Sequence, residues 1–347
     1  MKERWETLHT FALPNDKIMK KRSLILALLT IAVPFYVCNG QSKKELKPEN
    51  VPVKIDTLIT TEIGGIKQVI GIKTDDSNKP ILLFLSGGPG SSMMNSAGSF
   101  THLLKDKFTI VQWDQRDAGK TLKLNASPVQ PSVGQMEEDT YQVIVFLTKT
   151  LKQEKIYLLG SSWGNVLGFY IVQKHPELLH AYFASNPVIS QMASEKNLLE
   201  TLKVYFKDNP LASKELADVN IPFKNDEDLF YLRKWLFYKE GKEYVLSDNF
   251  KNGFLQWSKT WSPAWNEVMN IDLPKTLKKV DCPVYFFVGK NDIQTSTKIT
   301  EGYFGELKAP KKDLFLFENS GHQIHQDEPE KFQQAIISIL DTVKSEK

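Results

Sequence analysis

Ile156-Tyr157-Leu158-Leu159-Gly160-Ser161-Ser162-Trp163-Gly164 is a short apolar run that ends in G-x-S-x-G and passes directly into a helical pattern from Val166 to Gln173. An apolar run of this length reads as a strand buried on both faces. The pentapeptide alone is common. Its place between a strand and a helix gives it meaning, because a serine lifted to the apex of a sharp strand-to-helix turn is exposed for chemistry. Such a turn needs small residues on either side, and Gly160 and Gly164 supply them. Ser162 is therefore the candidate nucleophile. His175-Pro176 marks the end of the helix.

The same rhythm extends in both directions. Upstream, Thr57–Thr61 and Ile66–Ile72 are rich in β-branched residues and flank Gly64-Gly65, which predicts a hairpin. Pro80–Leu85 and Phe108–Trp113 are continuous apolar runs, and Met136 to Leu151 predicts a helix with acidic residues in its first turn. Downstream, Leu179–Ala184, Pro283–Val288 and Leu314–Phe317 read as strands, with helices over Ser296–Leu307 and Glu328–Lys344. Strands alternating with helices imply a mostly parallel sheet covered on both faces. Between Pro187 and Asp272 the alternation stops. That stretch is helical and aromatic, with Tyr205, Phe206, Trp235, Trp257, Trp261 and Trp265, and is read as an inserted cap. The expected organisation is an N-terminal extension and signal peptide (1–40), a linker (41–54), an α/β core (55–186 and 273–347) and a helical cap (187–272).

A serine hydroxyl needs an adjacent base to become a nucleophile. In sites of this kind the partners follow in the order Ser, acid, His. Of the six histidines, His9 lies in the N-terminal extension, His102 precedes Ser162, and His175 and His180 follow it too soon. His322, in Asn319-Ser320-Gly321-His322, comes just after the strand Leu314–Phe317, where ligands meet the carboxyl ends of sheet strands. His325 is read as its neighbour on the same loop. Asp292 stands in the same relation to the strand Pro283–Val288, whereas Asp281 lies before that strand and at its wrong end. Asp292 would hold the His322 tautomer and stabilise the imidazolium. The backbone N–H of Trp163, the residue after the nucleophile, is one expected oxyanion donor. The other is expected from Ser86-Gly87-Gly88-Pro89-Gly90, directly after Pro80–Leu85.

With these motifs in place the chain resembles the prolyl aminopeptidase (proline iminopeptidase) family of α/β hydrolases. That family carries H-G-G-P-G, W-D-Q-R-G-x-G and G-x-S-W-G, followed by Asp and His late in the chain. Here they read Ser86–Gly90, Trp113-Asp114-Gln115-Arg116-Asp117-Ala118-Gly119, and Gly160–Gly164. Ser86 stands where the family has histidine, and Asp117 where it has glycine. The resemblance covers roughly Ile55 to Leu340 and is weakest in the cap. It implies an α/β-hydrolase fold, Gly88 as the second oxyanion donor, no metal or cofactor, and a peptide or other small-molecule substrate with a free amino end. It also implies acidic cap side chains that hold that amine. The triad itself serves a carboxylesterase equally well, and a non-catalytic binding protein with a degenerate site is the third reading.

Composition excludes other classes. Apolar residues make up 41% and charged residues 24%, which argues against general disorder. A formal charge of +3 with dispersed basic residues argues against nucleic-acid binding. Ala118-Gly119-Lys120-Thr121 lacks the upstream glycine spacing of a phosphate loop. At the start, Lys20-Lys21-Arg22 precedes an apolar run from Leu24 to Val37, a signal-peptide pattern that begins cleanly at Met19, while residues 1–18 match no standard n-region and leave both Met1 and Met19 as candidate starts. Cleavage after Gly40 predicts an exported protein with no stable membrane span, and lipidation at Cys38 is the second reading. Processing after Gly40 would leave Cys282 as the lone cysteine, expected to be buried and inert.

Overall fold

The computed structural model describes residues 52–345. The signal-peptide and Cys38 expectations lie outside them. Eight strands form one sheet: β1 (Ile55–Ile63), β2 (Ile66–Thr74), β3 (Ile81–Leu85), β4 (Thr109–Asp114), β5 (Ile156–Ser161), β6 (Leu179–Ser185), β7 (Val284–Gly289) and β8 (Lys312–Phe317). Their spatial order is β1-β2-β4-β3-β5-β6-β7-β8. β2 is antiparallel to both neighbours, and every pairing from β4 to β8 is parallel. In the core lie the helices α1 (Gly98–Thr101), α2 (Gly119–Leu124), α3 (Val133–Thr150) and α4 (Gly164–Lys174). Between β6 and β7 come α5 (Gln191–Tyr205), α6 (Pro210–Ala217), α7 (Asp226–Lys239), α8 (Asp248–Val268) and α9 (Leu273–Thr276). After β7 follow α10 (Thr297–Glu306), α11 (Ile324–Asp327) and α12 (Pro329–Ser345). This is the α/β-hydrolase architecture with an inserted helical cap.

Residue alternation shows how the sheet is covered. Along β3, Ile81, Leu83 and Leu85 join one apolar cluster with α3, α4 and the foot of α8, while Leu82 and Phe84 join another with α12. Successive side chains of a strand point to opposite faces, so one continuous apolar run serves both layers. Cys282 sits in the first cluster, and burial, with the Asp281 charge second, pushes its thiol up to about 12. At neutral pH it is a packing residue rather than a nucleophile. The cap has an apolar centre of its own, in which Leu198, Leu202 and Phe206 of the α5 end meet Leu232, Trp235 and Leu236 of α7. Among the described residues no helix is long and apolar enough to cross a membrane.

One carboxylate pair lies where α3 meets α8. The Glu267 carboxylate accepts the Val133 N–H at 3.2 Å at the start of α3. Burial, with the Glu267 charge second, raises the Glu137 carboxyl to about 7 from an ordinary value of 4.5. A carboxyl raised on folding penalises the folded state once it ionises, so this contribution to stability falls as pH rises from 4.5 to about 7. Glu137→Gln is expected to leave stability unchanged at about pH 4 and to raise it at about pH 8. The gain is limited by partial exposure to about 1 kcal/mol, read from urea midpoints at the two pH values.

Candidate active site

The turn from β5 to α4 places Ser162 at φ 51°, in the left-handed region that a non-glycine residue enters only when its surroundings impose it. The surroundings are close. A Cβ on Gly164 would collide with the Leu85 carbonyl, and one on Gly160 with the Tyr182 hydroxyl. Hydrogen bonds then fix the apex. The Ser162 N–H donates to the Ser185 carbonyl at 3.0 Å, and the Ser162 carbonyl accepts from the backbone N–H of Asn165 at 2.9 Å. Asn165 Nδ2 donates to the Ser162 and Ser185 carbonyls at 3.0 and 2.9 Å, while its Oδ1 accepts the Tyr182 hydroxyl at 2.6 Å.

His322 Nε2 lies 2.8 Å from Ser162 Oγ, and its Nδ1 lies 2.8 Å from Asp292 Oδ2. The ionised carboxylate can only accept, so Nδ1 carries the proton and Nε2 is left to accept from the serine. Asp292 is held from three further directions. Gln294 and Thr295 N–H groups donate to Oδ1 at 2.8 and 3.2 Å, and Thr295 Oγ1 donates to Oδ2 at 2.7 Å. Burial raises this carboxyl, but the His322 charge and the bonds from His322 and Thr295 outweigh it and hold it below its ordinary value. The histidine loop is tied down by Asn186, whose Nδ2 donates to the His322 carbonyl at 2.8 Å while its Oδ1 accepts the Gly289 N–H at 2.8 Å. One side chain thus joins the ends of β6 and β7 to the loop after β8. His325 is buried edge-on to Phe100 at 4.9 Å. Burial, with the His322 charge second, lowers its imidazole to about 4, so it stays neutral.

The glycine loop closes over the serine. A Cβ on Gly87 would come 3.3 Å from that of Ser162, and Gly88 has φ 118°. Among the described residues the N–H groups of Gly88 and Trp163 donate to no other group. Ser86, where the resembled family has histidine, points its hydroxyl at the Ser91 carbonyl at 2.9 Å and braces the loop internally. The Trp113–Gly119 motif is scaffolding. The Asp114 carboxylate accepts the Lys120 N–H at 2.6 Å and the Ser92 hydroxyl, so a carboxylate already occupies the start of α2 where a phosphate loop would bind its anion. Asp117 adopts φ 53° and accepts the Ser127 N–H at 2.8 Å, doing the work of the glycine it replaces with a bond glycine could not make.

Sequence reasoning placed Ser162, Asp292, His322, Trp163 and Gly88, and the structure gathers the first three into one hydrogen-bonded line. It missed Asn165, Tyr182, Asn186 and Thr295. Thr295, three residues after Asp292, carried a local signal, since Asp-x-x-Thr suits a side chain that bonds back onto its own turn. Most cap carboxylates have partners elsewhere. Glu195 pairs with Arg233, Glu215 with Lys234, Asp228 accepts the Asn220 and Lys224 N–H groups, and Asp226 accepts the Ser262 hydroxyl at 2.6 Å.

Fold and site together define a hydrolase. The chain belongs to the alpha/beta hydrolase fold family, whose model matches residues 80–329. It is 28% identical over 308 residues to a probable aminopeptidase of Bacillus subtilis, covering 81% of this chain and 96% of that protein. It is 24% identical over 275 residues to a proline iminopeptidase of Heyndrickxia coagulans, covering 76% and 91%. Among solved structures, a proline iminopeptidase-related protein of Thermus thermophilus aligns with TM-score 0.57 at 19% identity, over 83% of this chain and 98% of that one. A thermophilic esterase of Thermogutta terrifontis aligns with TM-score 0.53 at 19% identity, over 83% and 99%.

Proposed function

We propose that this protein is an exported serine aminopeptidase of the proline iminopeptidase type, cleaving the N-terminal residue of small peptides through an acyl-enzyme. The observation that carries the chemistry is the line Ser162 Oγ, His322 Nε2, His322 Nδ1, Asp292 Oδ2, with both contacts at 2.8 Å. His322 takes the Ser162 proton as Oγ attacks the scissile carbonyl. The oxyanion is received by the N–H groups of Trp163 and Gly88. His322 then passes the proton to the leaving amine, and a water activated by the same imidazole releases the acyl group. The aminopeptidase- and iminopeptidase-named relatives support the substrate class.

A free α-ammonium in a half-enclosed site needs a carboxylate to offset its desolvation. Asp226 is the candidate for that part, because among the described residues it forms no ion pair, its one side-chain bond is to the Ser262 hydroxyl, and it lines a cleft with Lys224, Ser262, Asn266 and Trp265. The Trp265 ring stacks on Trp163 next to the nucleophile. The second reading, a carboxylesterase, draws on the pairing of Glu195 with Arg233, which leaves that buried cap carboxylate neutralised. An aminoacyl amide, its N-acetylated form and a simple ester separate the two. Acetylation is expected to lower kcat/KM by at least about tenfold, the weight of one charge-assisted bond. Asp226→Asn is expected to raise KM for the free amine and spare the ester. Equal kcat/KM for the acetylated and free amides sinks the aminopeptidase reading in favour of the esterase. The export part of the proposal is checked by intact-mass analysis of the protein expressed from Met19 in a Gram-negative host. A product beginning at Gln41 is expected, and a diacylated Cys38 would replace it under the lipoprotein reading.

A further inference from the structure

The tryptophans of α8 reach both walls of the oxyanion site. Trp257, Trp261 and Trp265 recur every four residues and so share one helix face. Trp257 Nε1 donates to the Pro89 carbonyl at 2.9 Å, and Pro89 follows Gly88 directly. The Trp261 indole packs on the α-carbon of Gly90 so closely that a Cβ there would collide with it. Trp265 stacks on Trp163 with ring centroids 6.2 Å apart and planes inclined by 15°, and Trp261 meets the same ring edge-on at 6.4 Å. The Arg233 guanidinium lies 5.4 Å from the Trp265 ring centroid and is itself gripped by both oxygens of buried Glu195.

The two expected donors, Gly88 N–H and Trp163 N–H, come from loops after different strands. They must nevertheless converge on one oxygen at about 3 Å. Ser86 braces the start of the loop, but Gly87, Gly88 and Gly90 have no side chains of their own, so the external bond to the Pro89 carbonyl is the one that bears directly on the position of Gly88. We propose that Trp257 and Trp265 are positioning residues that set the spacing of the oxyanion donors, making the cap part of the catalytic geometry as well as a cover over it. The proposal rests on the serine mechanism above. Misplaced donors weaken binding of the charge that develops in the transition state and leave ground-state binding largely alone, so the effect falls on kcat.

Trp257→Phe removes the indole donor and keeps an aromatic ring. The probe is p-nitrophenyl acetate, too small to need the cap, compared with its thiono analogue, in which C=S replaces C=O. A hole shaped for an oxyanion favours oxygen over the larger, weaker-accepting sulfur. Trp257→Phe is expected to lower kcat on the oxygen ester by about tenfold with KM within about twofold, less than the loss of a whole donor. The oxygen-to-thiono ratio of kcat/KM should fall by a similar factor. Trp265→Phe, which thins the stack on Trp163, should shift that ratio in the same direction by less. An unchanged kcat on the oxygen ester, or equal slowing of both esters, overturns the proposal, since general damage does not distinguish oxygen from sulfur. Ser162→Ala is run in parallel. If it stays active, the serine mechanism falls and this inference with it. If it is inactive while the Trp257→Phe ratio does not move, only the coupling to the cap is lost.

Discussion

Ser162→Ala and His322→Ala are each expected to reduce turnover by roughly 10⁶ with the fold intact, since members of such a unit fail together. Neither side chain supports the elbow. The bonds that hold Ser162 run through its backbone and through Asn165, so removing Oγ leaves them in place. Asp292→Asn tests the third member more finely. The carboxylate only accepts, which fixes the proton on His322 Nδ1 and leaves Nε2 able to take the serine proton. An asparagine amide can turn its NH₂ toward Nδ1, favouring the Nε2–H tautomer, which cannot act as base. A loss of about 10⁴ in kcat is expected, with little change in KM. Labelling by a fluorophosphonate, followed by peptide mapping, reads the same line directly. The label should fall on Ser162 in the wild type and vanish in both alanine variants. Label on Ser161, or activity retained in Ser162→Ala, would overturn the assignment.

The parts of this site that were legible in the sequence are those with a local signature. Ser162 sits in a strand–turn–helix pattern, and Asp292 and His322 each follow an apolar run by a few residues, so the carboxyl ends of parallel strands could be read from spacing alone. The supports were illegible because their partners are distant in sequence. Asn186 bonds across 136 residues to the His322 carbonyl, and Trp257 across 168 to Pro89. The four-residue spacing of Trp257, Trp261 and Trp265 puts them on one face of α8, but nothing in it says that the surface this face meets is the glycine loop and Trp163. The partners of the cap carboxylates were out of reach for a similar reason. Glu195 looks like a solvated helical charge until folding brings Arg233, 38 residues on, into contact with it and buries both. The short α2 also escaped notice, because six residues carry too little periodicity to register and its start is fixed by Asp114 from the preceding strand.

The Trp113–Gly119 motif leads to the other large expected effect, on stability rather than chemistry. Arg116 and Asp139 form a fully buried pair, with Nε to Oδ2 at 2.7 Å and an Nη to Oδ1 at 3.0 Å. Gln68 and Gln135 side chains donate to the same carboxylate at 2.8 and 3.0 Å, and the Arg116 guanidinium also donates to the Gly64 carbonyl at 3.1 Å. The cluster therefore ties the β1–β2 hairpin, the loop after β4 and helix α3 to one another, on the antiparallel side of the sheet. Asp139→Ala leaves a buried guanidinium without its counter-charge, with only the Gly64 carbonyl and the Ser127 hydroxyl as partners, and Arg116→Ala leaves a buried carboxylate with two neutral amide donors and no cation. Each is expected to cost about 3–5 kcal/mol, because the charge left behind keeps its desolvation penalty and loses its partner. In a chain of this size that corresponds to a melting midpoint lower by about 10 °C. Replacing both at once, as Arg116→Met with Asp139→Leu, should cost less than either single change, since no ion is then buried alone. Gln68 and Gln135 would keep some of the penalty as unmatched donors. kcat of the folded fraction should be unchanged in all three variants, as the cluster bonds to none of Ser162, Asp292 or His322. Single variants that melt with the wild type would show the pair to be energetically idle. A double variant as unstable as the sum of the two singles would place the cost in packing volume rather than in charge.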